Sequence, residues 1–131
     1  MRRCVVALVV LALALCACGR SGDRRIVRSV ATDFYAAVDQ HDGARACSVL
    51  SADTRKALEE QESKSCAEAV EDLDLTGGSV GKVSVYSTNA AVELRGGDTV
   101  FLQDTKEGWR IAAAGCRPSA HEEPADCDLE A

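Results

Sequence analysis

Aromatic side chains are scarce, at 4% of the 131 residues, so a core has to be built from Val, Leu, Ile and Ala. Proline occurs twice and no polar low-complexity tract is present, which excludes wholesale disorder. Excess positive charge is missing. The formal net charge is −6, which argues against a nucleic-acid surface, since phosphate backbones demand a basic patch. Length allows one domain and excludes a multidomain enzyme. No Cys-x-x-Cys occurs, and His41 and His121 lie far from any cysteine pair, so a metal centre is not expected. Neither Gly-x-x-x-x-Gly-Lys nor Gly-x-Gly-x-x-Gly is present; Gly77-Gly78 and Gly96-Gly97 are turns, not phosphate cradles.

What is present begins with an apolar run. Arg2 and Arg3 precede Val5 to Leu15, a stretch with no charged or polar group. A spanning helix asks for about 18 or more apolar residues, so this run is too short. A charged start followed by a short apolar stretch predicts a secretory signal. Leu15-Cys16-Ala17-Cys18 closes it and resembles a bacterial lipobox, which reads Leu, a small residue, Ala or Gly, then Cys. Cys16 stands where Ala, Ser, Thr or Val is usual, and is small enough to fit. The resemblance implies cleavage before Cys18 and a diacylglycerol on its thiol. Ordinary cleavage near Ala17 or Cys18, giving a free secreted protein, is the alternative.

Residues 1–17 are thus expected to be a lipoprotein signal peptide, 18–23 a lipidated tether through Gly19-Arg20-Ser21-Gly22, and 24–131 a single domain. Loss of Arg2 and Arg3 with the signal takes the net charge from −6 to −8. An acidic body is repelled by an anionic membrane, so the lipid has to do the holding. Two or more acyl chains suffice, since each buried methylene contributes about 0.8 kcal/mol.

Cys47, Cys66, Cys116 and Cys127 remain after Cys4 and Cys16 leave and Cys18 is lipidated. An even number in an exported chain reads as two disulfides. Four cysteines allow three pairings; short local loops favour Cys47–Cys66 and Cys116–Cys127.

The first half reads as helical. Ile26, Val30, Phe34 and Val38, widened by Val27, Ala31 and Ala37, predict an amphipathic helix from Arg24 to about Gln40, capped by Asp23. Asp42-Gly43 breaks it. A short helix to Leu50, one capped by Ser51 or Asp53 through Glu60, and one over Ser65–Leu73 follow. After Gly77-Gly78 the period becomes two. Val83 and Val85; Ala90, Val92 and Leu94; Val100 and Leu102; and Trp109, Ile111 and Ala113 form the inward sets of four antiparallel strands, joined by turns that include Gly96-Gly97 and Lys106-Glu107-Gly108. The fold class is therefore α+β, N-terminal helices packed on a four-stranded antiparallel sheet. Beyond Gly115 an acidic tail with both prolines is expected to be pinned back over the sheet by Cys116–Cys127.

Phe34-Tyr35, Asp42-Gly43-Ala44 before Cys47, Leu50-Ser51, Cys66, and Trp109-Arg110-Ile111 leading to Ala114-Gly115-Cys116 resemble a family of small bacterial secreted lipoproteins. That family is similar to the nuclear-transport-factor-2-like superfamily, which includes ketosteroid-isomerase-like domains. The resemblance spans roughly residues 26–127. It implies a cone, a curved sheet wrapped around the long first helix, with a pocket inside; Phe34, Tyr35, Val38 and Trp109 are the candidate lining.

An isomerase-type site needs an interior carboxylate base and a donor for the oxyanion. Asp33, Tyr35, Asp39 and Tyr86 are the candidates, but the inward strand positions are all apolar. Ser48 and Ser51 lack a partner histidine for nucleophilic work. Glu59-Glu60-x-Glu62 reads as a solvated helix face, with cation binding or docking of a basic partner as alternatives. The sequence therefore points to a membrane-anchored, extracytoplasmic, non-catalytic module that binds a small apolar ligand or an envelope protein and needs no cofactor. A small pocket enzyme of isomerase or dehydratase type is the alternative, and self-association through the outer sheet face at Phe101 a third.

Overall fold

The computed structural model describes residues 18–117 and 126–131, with side chains from Ser21 onward. The expected signal peptide over 1–17, and His121 with both prolines, lie outside the described residues. No described helix is long and apolar enough to cross a membrane.

Helix α1 covers Cys18–Asp39. It starts earlier than the Asp23 cap predicts, so the residues expected as a tether are its first turns. Asp23 sits inside the helix, where its carboxylate accepts a hydrogen bond from the indole Nε1 of Trp109 at 3.4 Å. The buried stripe also differs. Val27, Ala31, Phe34, Tyr35 and Ala37 are buried, whereas Ile26 is 48% exposed. A four-residue step advances about 40° beyond a full turn, so a stripe of such steps drifts off the core. Ile26 and Phe34 cannot both sit at its centre.

His41, at φ 52°, turns the chain out of α1. Asp42 caps α2 (Gly43–Ser48) by accepting from the Arg45 N–H. Helix α3 covers Ala52–Glu62 and is capped by Ser51. Helix α4 covers Cys66–Glu71, with Ser65 and Glu68 forming a capping box. Helices α2 and α4 lie against each other at Gly43, where an added Cβ would stand 2.1 Å from the Ala67 carbonyl oxygen. Only glycine permits that approach. The Cys47–Cys66 disulfide joins the same pair.

The sheet has five strands, one more than expected. β1 (Val80–Tyr86), β2 (Asn89–Leu94), β3 (Thr99–Thr105), β4 (Gly108–Arg117) and β5 (Asp126–Glu130) pair antiparallel in sequence order. The described end of the acidic tail, 126–131, extends the sheet as β5 in place of the expected packing over its face, with Cys127 opposite Cys116 and bonded to it. Asp126, Asp128 and Glu130 charge this edge, which discourages further strand addition. Arg117 holds Asp128 with two hydrogen bonds of 2.8 and 3.1 Å.

Strand β4 is bulged twice. Leu102 pairs with Ile111, Phe101 with Ala113, and Thr99 with Cys116. Each irregularity inserts one residue on β4. The first reverses the alternation, so Ala113 shares the outer side with Phe101 and Ala114 takes the buried place expected for Ala113. The freed Ala112 carbonyl accepts from the buried Thr54 hydroxyl at 2.9 Å, and Thr54 is in turn bonded to Ser51 Oγ at 2.7 Å. Helix α2 stops at Ser48, short of the expected Leu50, because Val49 to Ser51 run beside β4. The Ile111 N–H donates to the Val49 carbonyl and the Ser51 N–H to the Ile111 carbonyl. The short N-terminal helices are thereby tied to the sheet by backbone as well as by packing.

Candidate functional site

The expected pocket residues do not converge on one cavity. Phe34 is fully buried and Trp109 nearly so; both belong to the contiguous apolar core with Leu50, Val92, Leu102 and Ile111, and Val38 is half-buried against that core. Of the four, Tyr35 alone borders a described cleft. That cleft, about 380 Å³, runs between α1 and the start of β1 and is lined by Arg28, Thr32, Tyr35, Ala36, Asp39, Gly78, Ser79 and Val80. Its walls mix polar groups with the apolar surface of Tyr35, Ala36 and Val80.

Tyr35 forms the deep wall. Its ring meets Phe34 edge-on at 5.1 Å, and the hydroxyl is buried with no hydrogen-bond partner. Burial pushes the phenol above its ordinary range; the Gly115 backbone, near the hydroxyl but outside hydrogen-bond geometry, partly offsets this, and the Asp98 and Asp128 carboxylates add to the rise. A neutral phenol in this wall can donate one hydrogen bond. The buried carboxylate that acts on it, Asp98, is engaged by the Thr76 N–H, and the carboxylates expected as a base lie at the surface. Asp33 is exposed and paired with Arg45 at 3.4 Å, Asp39 is exposed on the rim, and Tyr86 is 65% exposed at the end of β1.

Two results are expected from Tyr35→Phe. Removing an unsatisfied buried hydroxyl should leave the fold as stable as before or raise stability by about 1 kcal/mol. In the parent protein the folded-state value lies above the unfolded one, so the unfolded chain releases a proton first. The Tyr35 contribution to stability is then level below pH about 10 and falls by about 1.4 kcal/mol per further pH unit. Urea midpoints measured across that range, in parent and Tyr35→Phe, check both; an identical alkaline slope in the two proteins would remove Tyr35 as its source.

The remaining sequence candidates serve local structure. Ser48 Oγ donates to the Arg45 carbonyl and Ser51 caps α3. Glu59 accepts from the Cys66 N–H at 3.1 Å, and Glu60 lies 3.7 Å from Lys56. No group of metal-ligating side chains occurs among the described residues. Both disulfides join near neighbours in sequence. Cys18 is the first residue of α1.

Sequence reasoning missed Asp98. It is buried, and it pins the 76–79 segment by accepting from the Thr76 N–H at 2.7 Å while its own N–H donates to the Thr76 carbonyl at 3.1 Å. The signal was a charged residue directly after Gly96-Gly97, where a turn carboxylate commonly bonds nearby backbone. The arginines at the start of α1, Arg24, Arg25 and Arg28, were also passed over; they border a second shallow cleft with Val83.

No family model, curated protein or solved structure matches this chain.

Proposed function

We propose that this chain is an extracytoplasmic lipoprotein, anchored to the membrane through Cys18, whose domain is a non-catalytic binding or interaction module of the nuclear-transport-factor-2-like kind. The observation that carries the reading is the oxidised state of the body cysteines, Cys47 with Cys66 and Cys116 with Cys127. Paired structural disulfides belong to export compartments, and an export signal is what the apolar lead before Cys18 offers. The order of helices then antiparallel sheet supports the family reading. The packed apolar core and the surface position of Asp33 and Asp39 favour binding over catalysis. With the inward positions filled by side chains, a small ligand or an envelope partner is met at the surface, where the α1–β1 cleft offers Arg28, Thr32, Asp39 and Ser79 as polar contacts.

Cells fed labelled palmitate are expected to incorporate label into the parent protein and none into Cys18→Ala, which should also leave the membrane fraction. Parent protein that takes up no label would end the lipoprotein reading, and recovery of the domain in the culture medium would replace it with simple secretion.

A further inference from the structure

The first turns of α1 concentrate positive charge on an acidic protein. Arg24, Arg25 and Arg28 are all exposed. Elsewhere five of the nine described basic side chains are ion-paired, Arg45 with Asp33, Lys56 with Glu60, Lys64 with Asp72, Lys82 with Glu93, and Arg117 with Asp126 and Asp128, while Arg55, Arg95, Lys106 and Arg110 are dispersed along the chain. Among the described residues no carboxylate pairs with the three α1 arginines. Asp23, the acid nearest in sequence, is directed to Trp109. Arg28 is steered alongside β1 by the Val80 and Gly81 carbonyls, at 3.4 and 3.5 Å, and all three arginines border one cleft.

Apolar groups are exposed at the same end. Ile26 is 48% exposed on the opposite flank of the helix, and Tyr86 is 65% exposed. Tyr86 and Asp23 border a common hollow with Ser87, so the β1–β2 turn lies beside the first turns of α1. Arginine with tyrosine and an aliphatic side chain is the composition of a bilayer interface, where cationic heads meet phosphates and amphipathic rings sit at headgroup level. Helix α1 begins at Cys18. At 1.5 Å per residue, Cys18 lies about 10 Å along the axis from Arg25, so an acyl group there would hold Arg24 and Arg25 within about a Debye length of the headgroups.

We propose that this end of the domain docks on anionic phospholipid headgroups, with Arg24 and Arg25 meeting phosphates while Ile26 and Tyr86 enter the headgroup layer. The inference rests on the Cys18 anchor proposed above and deepens it: the acidic body stands away from the surface while one basic end faces it. Each arginine contributes about fivefold to such docking, so losing two weakens it about 30-fold.

The test places purified full-length lipidated protein in vesicles of phosphatidylcholine, with or without phosphatidylglycerol, and reads hydroxyl-radical oxidation by mass spectrometry. Tyr86 and Ile26 are expected to oxidise several-fold more slowly on the anionic vesicles. Phe101, 37% exposed on the outer sheet face, should be unchanged. Arg24→Gln/Arg25→Gln should return Tyr86 and Ile26 to the rate seen on phosphatidylcholine while the protein stays vesicle-bound. Equal rates on both vesicles, protection that survives the double substitution, or protection that extends to Phe101 would each overturn the docking while leaving the anchor intact. Protein that carries no acyl mass on Cys18 and fails to bind vesicles would instead overturn the anchor.

Discussion

Phe34→Ala is expected to cost about 4 kcal/mol, the largest effect of any single substitution argued for this protein. Phe34 is fully buried in the C-terminal part of α1, and its ring meets that of Tyr35 at 5.1 Å. Tyr35 and Trp109, the other rings of this core, are themselves buried and hold their own places, so neither is free to fill the void. Stability of small domains is about 5–15 kcal/mol, so the loss is a large share of the total. The thermal midpoint should fall by roughly 20 °C. In urea the midpoint should move with little change in slope. Ile26→Ala is the matched control: its side chain is 48% exposed, and the change should stay within about 0.5 kcal/mol. Equal effects at the two positions would mean that the apolar face of α1 is assigned wrongly.

That contrast also shows where periodicity was informative. The chain carries apolar residues at four-residue steps through Ile26, Val30, Phe34 and Val38 and, one position along, at Val27 and Ala31. Spacing alone identifies a helix, but the choice between two adjacent stripes depends on where the sheet lies, which is a tertiary fact. The helix start was illegible for a similar reason. Asp23 has the chemistry of a cap, yet its carboxylate is engaged by Trp109, 86 positions away, and no local rule contains that contact.

The strands were legible wherever alternation was uninterrupted, as from Ala90 to Leu94 and from Val100 to Leu102. Alternation failed at the bulges of β4, where an inserted residue moves Ala114 to the inside and Ala113 to the outside. Three consecutive alanines carry no information about which faces inward. The signal there was Gly115, whose φ of +67° and whose close neighbours, Asp128 and Leu75, require a residue without a Cβ. The fifth strand was hidden by its charge. Asp126-Cys127-Asp128-Leu129-Glu130 does alternate, with Leu129 buried, but composition suggested a solvated tail. At an edge, that same charge is what keeps the strand from recruiting another. The candidate cleft was illegible altogether: its walls come from α1 and from residues 78–80, brought together by long-range contacts, Asp98 on Thr76, Arg95 on Ser79 and Arg28 on Val80.

Replacing Cys47 and Cys66 together by alanine is expected to cost about 3 kcal/mol, from the loop of 19 residues that the bridge closes in the unfolded chain. The folded state gives reasons for at least that much. Helices α2 and α4 have six residues each, far below the length at which a helix persists alone. They are held by the bridge, by the Gly43 approach to Ala67, and by the Gly43 N–H donating to Glu71 at 3.0 Å. Without the bridge, that approach depends on one hydrogen bond and on contacts within a few small side chains, so α4 should exchange its amide protons far faster than the sheet does. Cys116→Ala/Cys127→Ala removes a bridge that closes a shorter loop, of 11 residues, and acts on an edge strand that the β4 ladder and Arg117 already hold. Its loss should loosen β5 and leave the helices protected. Hydrogen exchange read by mass spectrometry separates the two: α4 opening in the first variant and β5 in the second. If instead both variants release the same segment, the helical staple and the edge clasp are one cooperative unit, and the division of labour drawn from their positions is wrong.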